Sequence, residues 1–128
     1  MKRGGAVLVV DDDGEIGQIL SKVLGRAGYQ GELAATGEEG LTLLEKEGLV
    51  CLVVDKILPG LGGLEVMAEA RRRRPGLPVV LITGHPEPFQ MGDERPDAVV
   101  TKPFSSLPAV VEAVSAAVEA AGQAPLSA

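Results

Sequence analysis

The feature that most constrains the fold is an alternation of short, continuously aliphatic runs with longer amphipathic stretches, repeated about five times along the chain. Continuous rather than alternating hydrophobicity is typical of strands buried on both faces, as in a parallel sheet between two layers of helices. The amphipathic stretches carry apolar residues at the period of a helix. We therefore predict an α/β domain with five strands, over Ala6 to Val10, Gly31 to Ala35, Leu49 to Val54, Val79 to Ile82 and Ala98 to Val100.

Local signals mark the predicted helices. The second helix should begin with the capping box Thr36-Gly37-Glu38-Glu39, and the last near Ser105 or Ser106, with Pro108 in its first turn. From Gly84 to Asp97 the chain has three prolines and two glycines, so any fourth helix there should be short or distorted. We expect one domain over residues 1–121, with a tail or linker over 122–128. The first helix has its apolar stripe at Ile16, Ile19, Leu20, Val23 and Leu24.

The charge balance and the scarcity of aromatic residues exclude several functional classes. The chain has 12 basic and 18 acidic side chains and only three aromatic ones, which argues against direct nucleic-acid binding. The arginine run Arg71 to Arg74 is therefore interpreted as a solvated helix end. The lone Cys51 cannot form an internal disulfide and should be a core residue. No apolar run is long enough to cross a membrane, and we expect a cytoplasmic protein.

Polar residues follow four of the five predicted strands. Because the carboxyl ends of parallel strands lie at one edge of a sheet, these residues should converge there. Each has an ordinary explanation taken singly, since Asp caps helices and Thr ends strands, but chance accounts poorly for all of them together. The residues are Asp11, Asp12 and Asp13 after the first strand, Asp55 after the third, Thr83 after the fourth and Lys102 after the fifth.

Clustered carboxylates repel one another, so either one holds a proton or a cation neutralises them. Carboxylate oxygens with room for water suit Mg²⁺, which usually binds one or two carboxylates together with phosphate oxygens. Lys102 and the Thr83 hydroxyl would then contact phosphoryl oxygens, and Asp55 is a nucleophile of the kind that forms aspartyl phosphates. The sequence therefore predicts magnesium and phosphate chemistry at one site.

The same residues resemble the receiver domains of bacterial two-component response regulators over Ala6 to Val118. The resemblance rests on four ordered motifs: Asp11-Asp12 after VLVV, Asp55 in DKILPGLGG, Thr83-Gly84 after VVLI, and Lys102-Pro103-Phe104. It implies a flavodoxin-like, three-layer sandwich with a five-stranded, doubly wound sheet of strand order 2-1-3-4-5.

The resemblance also implies a role for each site residue. Asp55 would accept a phosphoryl group from a histidine kinase or a histidine phosphotransfer protein. Asp12 and Asp55 would bind Mg²⁺ directly, Asp11 mainly through water, and the backbone carbonyl of Ile57 would be a further ligand. Thr83 and Lys102 would contact the phosphate. Such a domain catalyses only its own phosphorylation and dephosphorylation, and it signals to a downstream protein or a fused domain without contacting a membrane.

Two departures from the family pattern concern the output of the signal. Val99 stands where the family usually has Tyr or Phe, and the stretch from Thr83 to Lys102 is about three residues short. We therefore expect the usual output face, formed by the fourth helix, the fifth strand and the fifth helix, to be altered.

Two alternatives stay open. Asp11-Asp12-Asp13-Gly14 also spells the DxDG of haloacid-dehalogenase-type phosphatases, with Thr83 as a second motif and Gly92 to Asp97 resembling a GDxxxD element. Against this, Lys102 follows that element instead of preceding it, and the chain leaves little room for substrate specificity. The other alternative is a degenerate receiver that acts only as a binding module.

Overall fold

The computed structural model describes residues 4–84, 95–101 and 107–123. Its five strands form one parallel sheet in the order β2-β1-β3-β4-β5, which confirms the predicted α/β architecture and strand order. Each strand lies within one residue of its predicted bounds. The strands are β1 (Ala6–Val10), β2 (Gln30–Ala34), β3 (Leu49–Asp55), β4 (Val79–Thr83) and β5 (Ala98–Thr101).

Four helices are described: α1 (Gly14–Arg26), α2 (Gly37–Leu43), α3 (Gly63–Arg73) and α4 (Leu107–Gln123). Pro108 lies in the first turn of α4, as predicted. The short or distorted helix expected between β4 and β5 falls on residues 85–94, outside the described residues. The predicted tail begins within α4, which continues to Gln123, and residues 124–128 are also outside the described part.

The sheet has a hydrophobic core on each face. Leu8 and Val10 of β1 belong to the core beneath α2 and α3, whereas Val7 and Val9 belong to the core beneath α1 and α4. All five residues of β1 are buried, because alternate side chains enter opposite cores. The continuous hydrophobic runs in the sequence reflect this burial on both faces.

Side-chain hydrogen bonds attach α4 to the chain at the start of β2 and cap the start of α2. The Tyr29 hydroxyl, at the entrance to β2, donates to the Ser115 hydroxyl of α4 at 3.3 Å. At the start of α2, the Thr36 hydroxyl accepts from the Glu39 backbone N–H at 3.0 Å, as the capping box predicts. The returning bond differs from prediction, since the Glu39 carboxylate accepts from the N–H of Ala35 and not of Thr36, at 2.8 Å.

The buried stripe of α1 differs from the predicted one at Ile19. This side chain is 45% exposed, and the core-facing positions are Gly17, Leu20 and Leu24. Gly17 faces the sheet, and a Cβ there would make an ordinary van der Waals contact, at 3.7 Å, with the Leu33 side chain. A hydrophobic pattern does not detect such a contact, because glycine contributes no side chain to it.

The arginine run at the end of α3 is only partly solvated, contrary to the sequence interpretation. The Arg74 guanidinium donates to the carbonyl of Leu44 at 2.8 Å and to the carbonyls of Lys46 and Leu49 at 3.4 Å. It therefore holds the connection from α2 to β3. Arg71 forms an ion pair with Asp97 at 3.2 Å, and the Asp97 carboxylate also accepts from the N–H of Val79 at 2.7 Å.

Candidate functional site

The register of the sheet brings the predicted site residues to one edge. Val10 pairs with Val54, so Asp11 and Asp55 follow at the same level of neighbouring strands. Asp55 pairs with Ile82, which places Thr83 one residue further along β4. The topology alone therefore collects three of the predicted polar positions at the carboxyl ends of β1, β3 and β4.

Three carboxylates converge at this edge. One oxygen each of Asp11, Asp12 and Asp55 lies within 4.8 Å of the others. Asp11 and Asp55 are only 4% and 6% exposed, whereas Asp12 is exposed. Negative charges this close repel, and a cation that the carboxylates share relieves the repulsion. The donor set, three hard oxygens open to water on the Asp12 side, fits a divalent cation such as Mg²⁺.

Backbone hydrogen bonds orient the two buried carboxylates. Asp11 Oδ1 accepts from the N–H of Asp13 at 2.9 Å, and Asp55 Oδ1 accepts from the N–H of Ile57 at 3.0 Å. Each carboxylate is thus tied to the loop that follows its strand. The Ile57 side chain is 64% exposed beside this site. The Ile57 carbonyl as a metal ligand stays a prediction.

Asp13 has a different role from its two neighbours. Its Oδ1 accepts from the N–H groups of Glu15 and Ile16 at 3.0 and 3.3 Å, which makes Asp13 the N-cap of α1. In the phosphatase alternative, Asp13 would be the second carboxylate of the DxD pair. Its use as a helix cap argues against that reading.

The loop between β3 and α3 folds back so that Gly63 packs against the main chain of Asp55 and Lys56. The N–H of Gly63 donates to the carbonyl of Lys56 at 3.0 Å, and a Cβ at position 63 would lie 2.8 Å from the Asp55 carbonyl carbon. Gly60, with φ +72°, forms the turn in this loop. The sequence pattern included Gly63, but the physical reason for glycine appears only when the loop folds back on Asp55.

Thr83 is the last residue of β4 and is fully buried. It pairs in register with Thr101, the last residue of β5. Lys102, the predicted partner of the phosphate, lies outside the described residues, and its role stays a prediction.

Comparison with known proteins identifies the family. The response regulator receiver domain family matches residues 7–115. The alkaline phosphatase synthesis transcriptional regulatory protein PhoP of Bacillus subtilis is 38% identical over 102 residues, covering 77% of this chain and 42% of PhoP. The transcriptional regulatory protein GlrR of Escherichia coli is 29% identical over 116 residues, covering 88% of this chain and 26% of GlrR.

A solved structure agrees with this match. The CheY-like response regulator receiver domain protein of Methanospirillum hungatei JF-1 superposes with a TM-score of 0.83 and 28% identity, covering 92% of this chain and 96% of that one. These matches favour the receiver over the phosphatase alternative.

The relatives also bear on partners. The chain spans less than half the length of the curated relatives named above, which are transcriptional regulatory proteins. The expectation of no nucleic-acid partner is therefore not supported. Among the described helices, none is both long and apolar enough to span a membrane.

Receiver domains bind Mg²⁺ at an acidic pocket and interact with histidine kinases, in general as signalling modules and not as enzymes. The chain belongs to the response regulator receiver domain family and is a receiver domain of the two-component type.

Proposed function

We propose that Asp55 is the phosphoacceptor of this receiver and takes its phosphoryl group from a phosphohistidine of a histidine kinase or a histidine phosphotransfer protein. The observation that carries the proposal is the cluster of Asp11, Asp12 and Asp55, with carboxylate oxygens within 4.8 Å of one another. Asp55 ends β3, which lies between β1 and β4 in the sheet, and the N–H of Ile57 orients its carboxylate.

The metal ligands are assigned within the same cluster. Asp12 and Asp55 would hold Mg²⁺ directly, Asp11 would act mainly through a bound water, and the backbone carbonyl of Ile57 would complete the protein's share of the ligands. When bound, Mg²⁺ neutralises charge on the carboxylates and on the incoming phosphoryl oxygens. The exposure of Asp12 beside two buried carboxylates supports a metal that keeps several waters.

The transfer needs little covalent chemistry beyond Asp55 itself. A carboxylate oxygen of Asp55 attacks phosphorus while the phosphorus–nitrogen bond of the phosphohistidine breaks, and the imidazole keeps the electron pair. Positioning and neutralisation of charge supply most of the rate in such a step. The Thr83 hydroxyl would donate to a phosphoryl oxygen of the product, and the Lys102 ammonium would pair with another.

The phosphoryl group would carry roughly −1.5 to −2 charges in place of the single negative charge of the Asp55 carboxylate, so this edge would become more negative by about one charge or less. We propose that the change is transmitted from Thr83 to a surface used by a downstream protein or a fused domain. Val99 in β5 is 41% exposed on the strand next to β4, at the position where the family usually has an aromatic ring. Signal output would therefore not depend on the inward movement of a ring at this position.

The test is incubation with acetyl phosphate and Mg²⁺ followed by intact-mass measurement. The expected result is a gain of one phosphoryl group that is lost in Asp55→Asn. Asp13→Asn is the matched control, because Asn also caps helices and Asp13 lies outside the cluster. Absence of labelling in the parent protein, which a degenerate receiver would show, or labelling that survives Asp55→Asn would contradict the proposal. Continuous release of phosphate from a small monoester would instead indicate a phosphatase.

A further inference from the structure

Helix α2 packs against the end of β1, directly before the first carboxylate of the acidic cluster. A Cβ at position 40 would lie 2.8 Å from Cγ2 and 3.4 Å from Cγ1 of Val10, the residue that precedes Asp11. Val10 is fully buried, so its methyl groups have no free space to move into. The Asp11 N–H also donates, at 3.1 Å, to the carbonyl of Ala34 in the strand that leads into α2. The backbone at Asp11 is therefore attached to α2 on two sides.

The first turn of α2 also contacts the loop that follows Asp55. Gly37 is buried, and a Cβ there would lie 2.6 Å from the carbonyl oxygen of Leu61 and 2.9 Å from Cγ2 of Val66 in α3. Real Cβ atoms essentially never come within 3.0 Å of another heavy atom, and the Leu61 oxygen belongs to the main chain. The loop therefore lies directly on the backbone of α2. It also carries Ile57, whose N–H orients the Asp55 carboxylate.

The other end of α2 is held by arginines of α3 and of its C-cap. The Arg74 guanidinium donates to the carbonyl of Leu44 at 2.8 Å. Arg73 donates to the carbonyl of Leu41 at 3.4 Å. Helix α2 has seven residues and no basic residue in its own last turn, so these arginines satisfy carbonyls at its carboxyl end. Because the helix is fixed there, a side chain added at either glycine would displace β1 or the loop as well as α2.

We propose that α2 positions the carboxylates of the acidic cluster, with Gly40 as a positioning residue for Asp11 and Gly37 as one for the loop after Asp55. The inference rests on the function proposed for Asp55. The two glycines are three positions apart and lie on one face of α2, so together they set the distance between the end of β1 and the loop. Mg²⁺ demands near-ideal octahedral geometry, and its affinity should depend on this distance.

The first test uses the metal-free, unphosphorylated chain. The backbone amides of Asp13 and Ile57 donate to the two buried carboxylates, so their NMR signals report the orientation of each one. Gly40→Ala should shift the Asp13 signal more than the Ile57 signal, and Gly37→Ala should do the reverse. Gly25→Ala is the matched control, because it also adds a methyl group to a helical glycine but its Cβ would meet nothing within 4 Å. Shifts confined to α2 in both variants would overturn the proposal.

Calorimetric titration with MgCl₂ and denaturant unfolding separate positioning from stability. Gly40→Ala and Gly37→Ala should each raise the Mg²⁺ dissociation constant about tenfold, the usual effect of changing a residue that supports a metal ligand. Adding Val10→Ala to Gly40→Ala removes the methyl groups that the new Cβ would meet and should restore most of the affinity. Val10→Ala alone removes buried apolar volume and should lower the free energy of unfolding, yet weaken Mg²⁺ binding less than Gly40→Ala does.

If lost stability alone controlled the site, Val10→Ala would weaken Mg²⁺ binding at least as much as Gly40→Ala, and the double variant would bind most weakly. Either result would overturn the proposal, and so would an unchanged dissociation constant in both glycine variants. Gly40→Ala meets a side chain and not the main chain, so it keeps the test available if Gly37→Ala does not fold. Neither measurement uses a phosphoryl donor. A parent chain that shows the expected Mg²⁺ pattern but is not labelled by acetyl phosphate would contradict the role of Asp55 alone.

Discussion

Gly63 packs against the main chain of Asp55 so closely that position 63 has no room for a side chain. A Cβ there would lie 2.8 Å from both the Asp55 carbonyl carbon and the Lys56 Cα. Real Cβ atoms essentially never approach this closely, and the opposing atoms are backbone, which cannot rotate away. The loop that carries the proposed phosphoacceptor can close only over a glycine.

We therefore predict that Gly63→Ala destabilises the domain by about 1–3 kcal/mol, the usual cost of forcing atoms into a packed site. It should also reduce the phosphorylation of Asp55, because the loop must move away from the strand end. Urea unfolding measures the first effect and intact mass after acetyl phosphate the second. Gly25→Ala is the matched control, since a Cβ on Gly25 meets nothing within 4 Å. Equal effects at the two glycines would contradict the prediction.

The acidic cluster predicts that both Mg²⁺ binding and phosphorylation depend on its three carboxylates. Asp12→Asn should weaken Mg²⁺ binding by at least about tenfold, as expected for loss of a ligand, and labelling by acetyl phosphate should fall in parallel. Removing Mg²⁺ with a chelator should have the same effect on the parent protein. Calorimetric titration with MgCl₂ measures the affinity. Unchanged Mg²⁺ affinity in Asp12→Asn would show that the metal lies elsewhere.

The arginine run offers a comparison between neighbouring residues of the same type. Arg74→Ala should cost about 1–3 kcal/mol of unfolding free energy, because it leaves the carbonyls of Leu44, Lys46 and Leu49 without their charged donor. Arg72→Ala should change stability little, since its side chain is 71% exposed and its ion pair within the described part of the chain is with Glu69 on the same helix. Chemical denaturation of both variants checks the contrast, and a larger loss in Arg72→Ala would refute it.

Cys51 should be unreactive in the folded protein. Burial and, to a smaller extent, the nearby charge of Asp97 raise the pKa of its thiol to about 12, against the opposing effect of a backbone hydrogen bond with Leu52. A thiol-specific reagent at pH 8 should therefore modify Cys51 only when the domain opens. Rapid modification without denaturant would contradict this.

The same thiol should affect stability at high pH. The unfolded chain loses the thiol proton near the ordinary pKa of 9.0, whereas the folded chain keeps it up to about 12. The unfolded state therefore binds fewer protons between these values, and stability should fall as pH rises through this window. Cys51→Ala should be less stable overall but show a shallower loss over that window, measured by denaturant unfolding at several pH values. An equally steep loss in the variant would refute the assignment to Cys51.

The valine at position 99 leads us to predict a small structural response to phosphorylation in β5. A phosphoryl mimic bound with Mg²⁺ should shift backbone NMR signals near Asp55 and Thr83, with a weak response at β5, because position 99 carries no aromatic ring to move inward. The measurement is a pair of heteronuclear spectra with and without the mimic. Largest shifts in β5 and in the segment before it would show that the usual output face operates.

The sequence was most informative where one residue type has one physical consequence. Buried strands appear as aliphatic runs, and Asp11 and Asp55 follow those runs directly, so both the sheet and the carboxylate cluster were predictable. The sequence was less informative where the partner is distant or has no side chain. Arg74 contacts carbonyls 25 to 30 positions away, and the buried Gly17 adds no side chain to the hydrophobic pattern from which the core face of α1 is predicted.

The hydrogen bond between Tyr29 and Ser115 determines which part of the domain can be followed by tyrosine absorption and fluorescence. The chain has no tryptophan and a single tyrosine, so Tyr29 alone dominates its ultraviolet absorption and emission above 270 nm. That ring is 5% exposed and contacts α4 through Ser115. Tyrosine fluorescence should therefore be sensitive to the packing of α4 against the sheet. It should not report directly on the acidic edge where Asp55 lies.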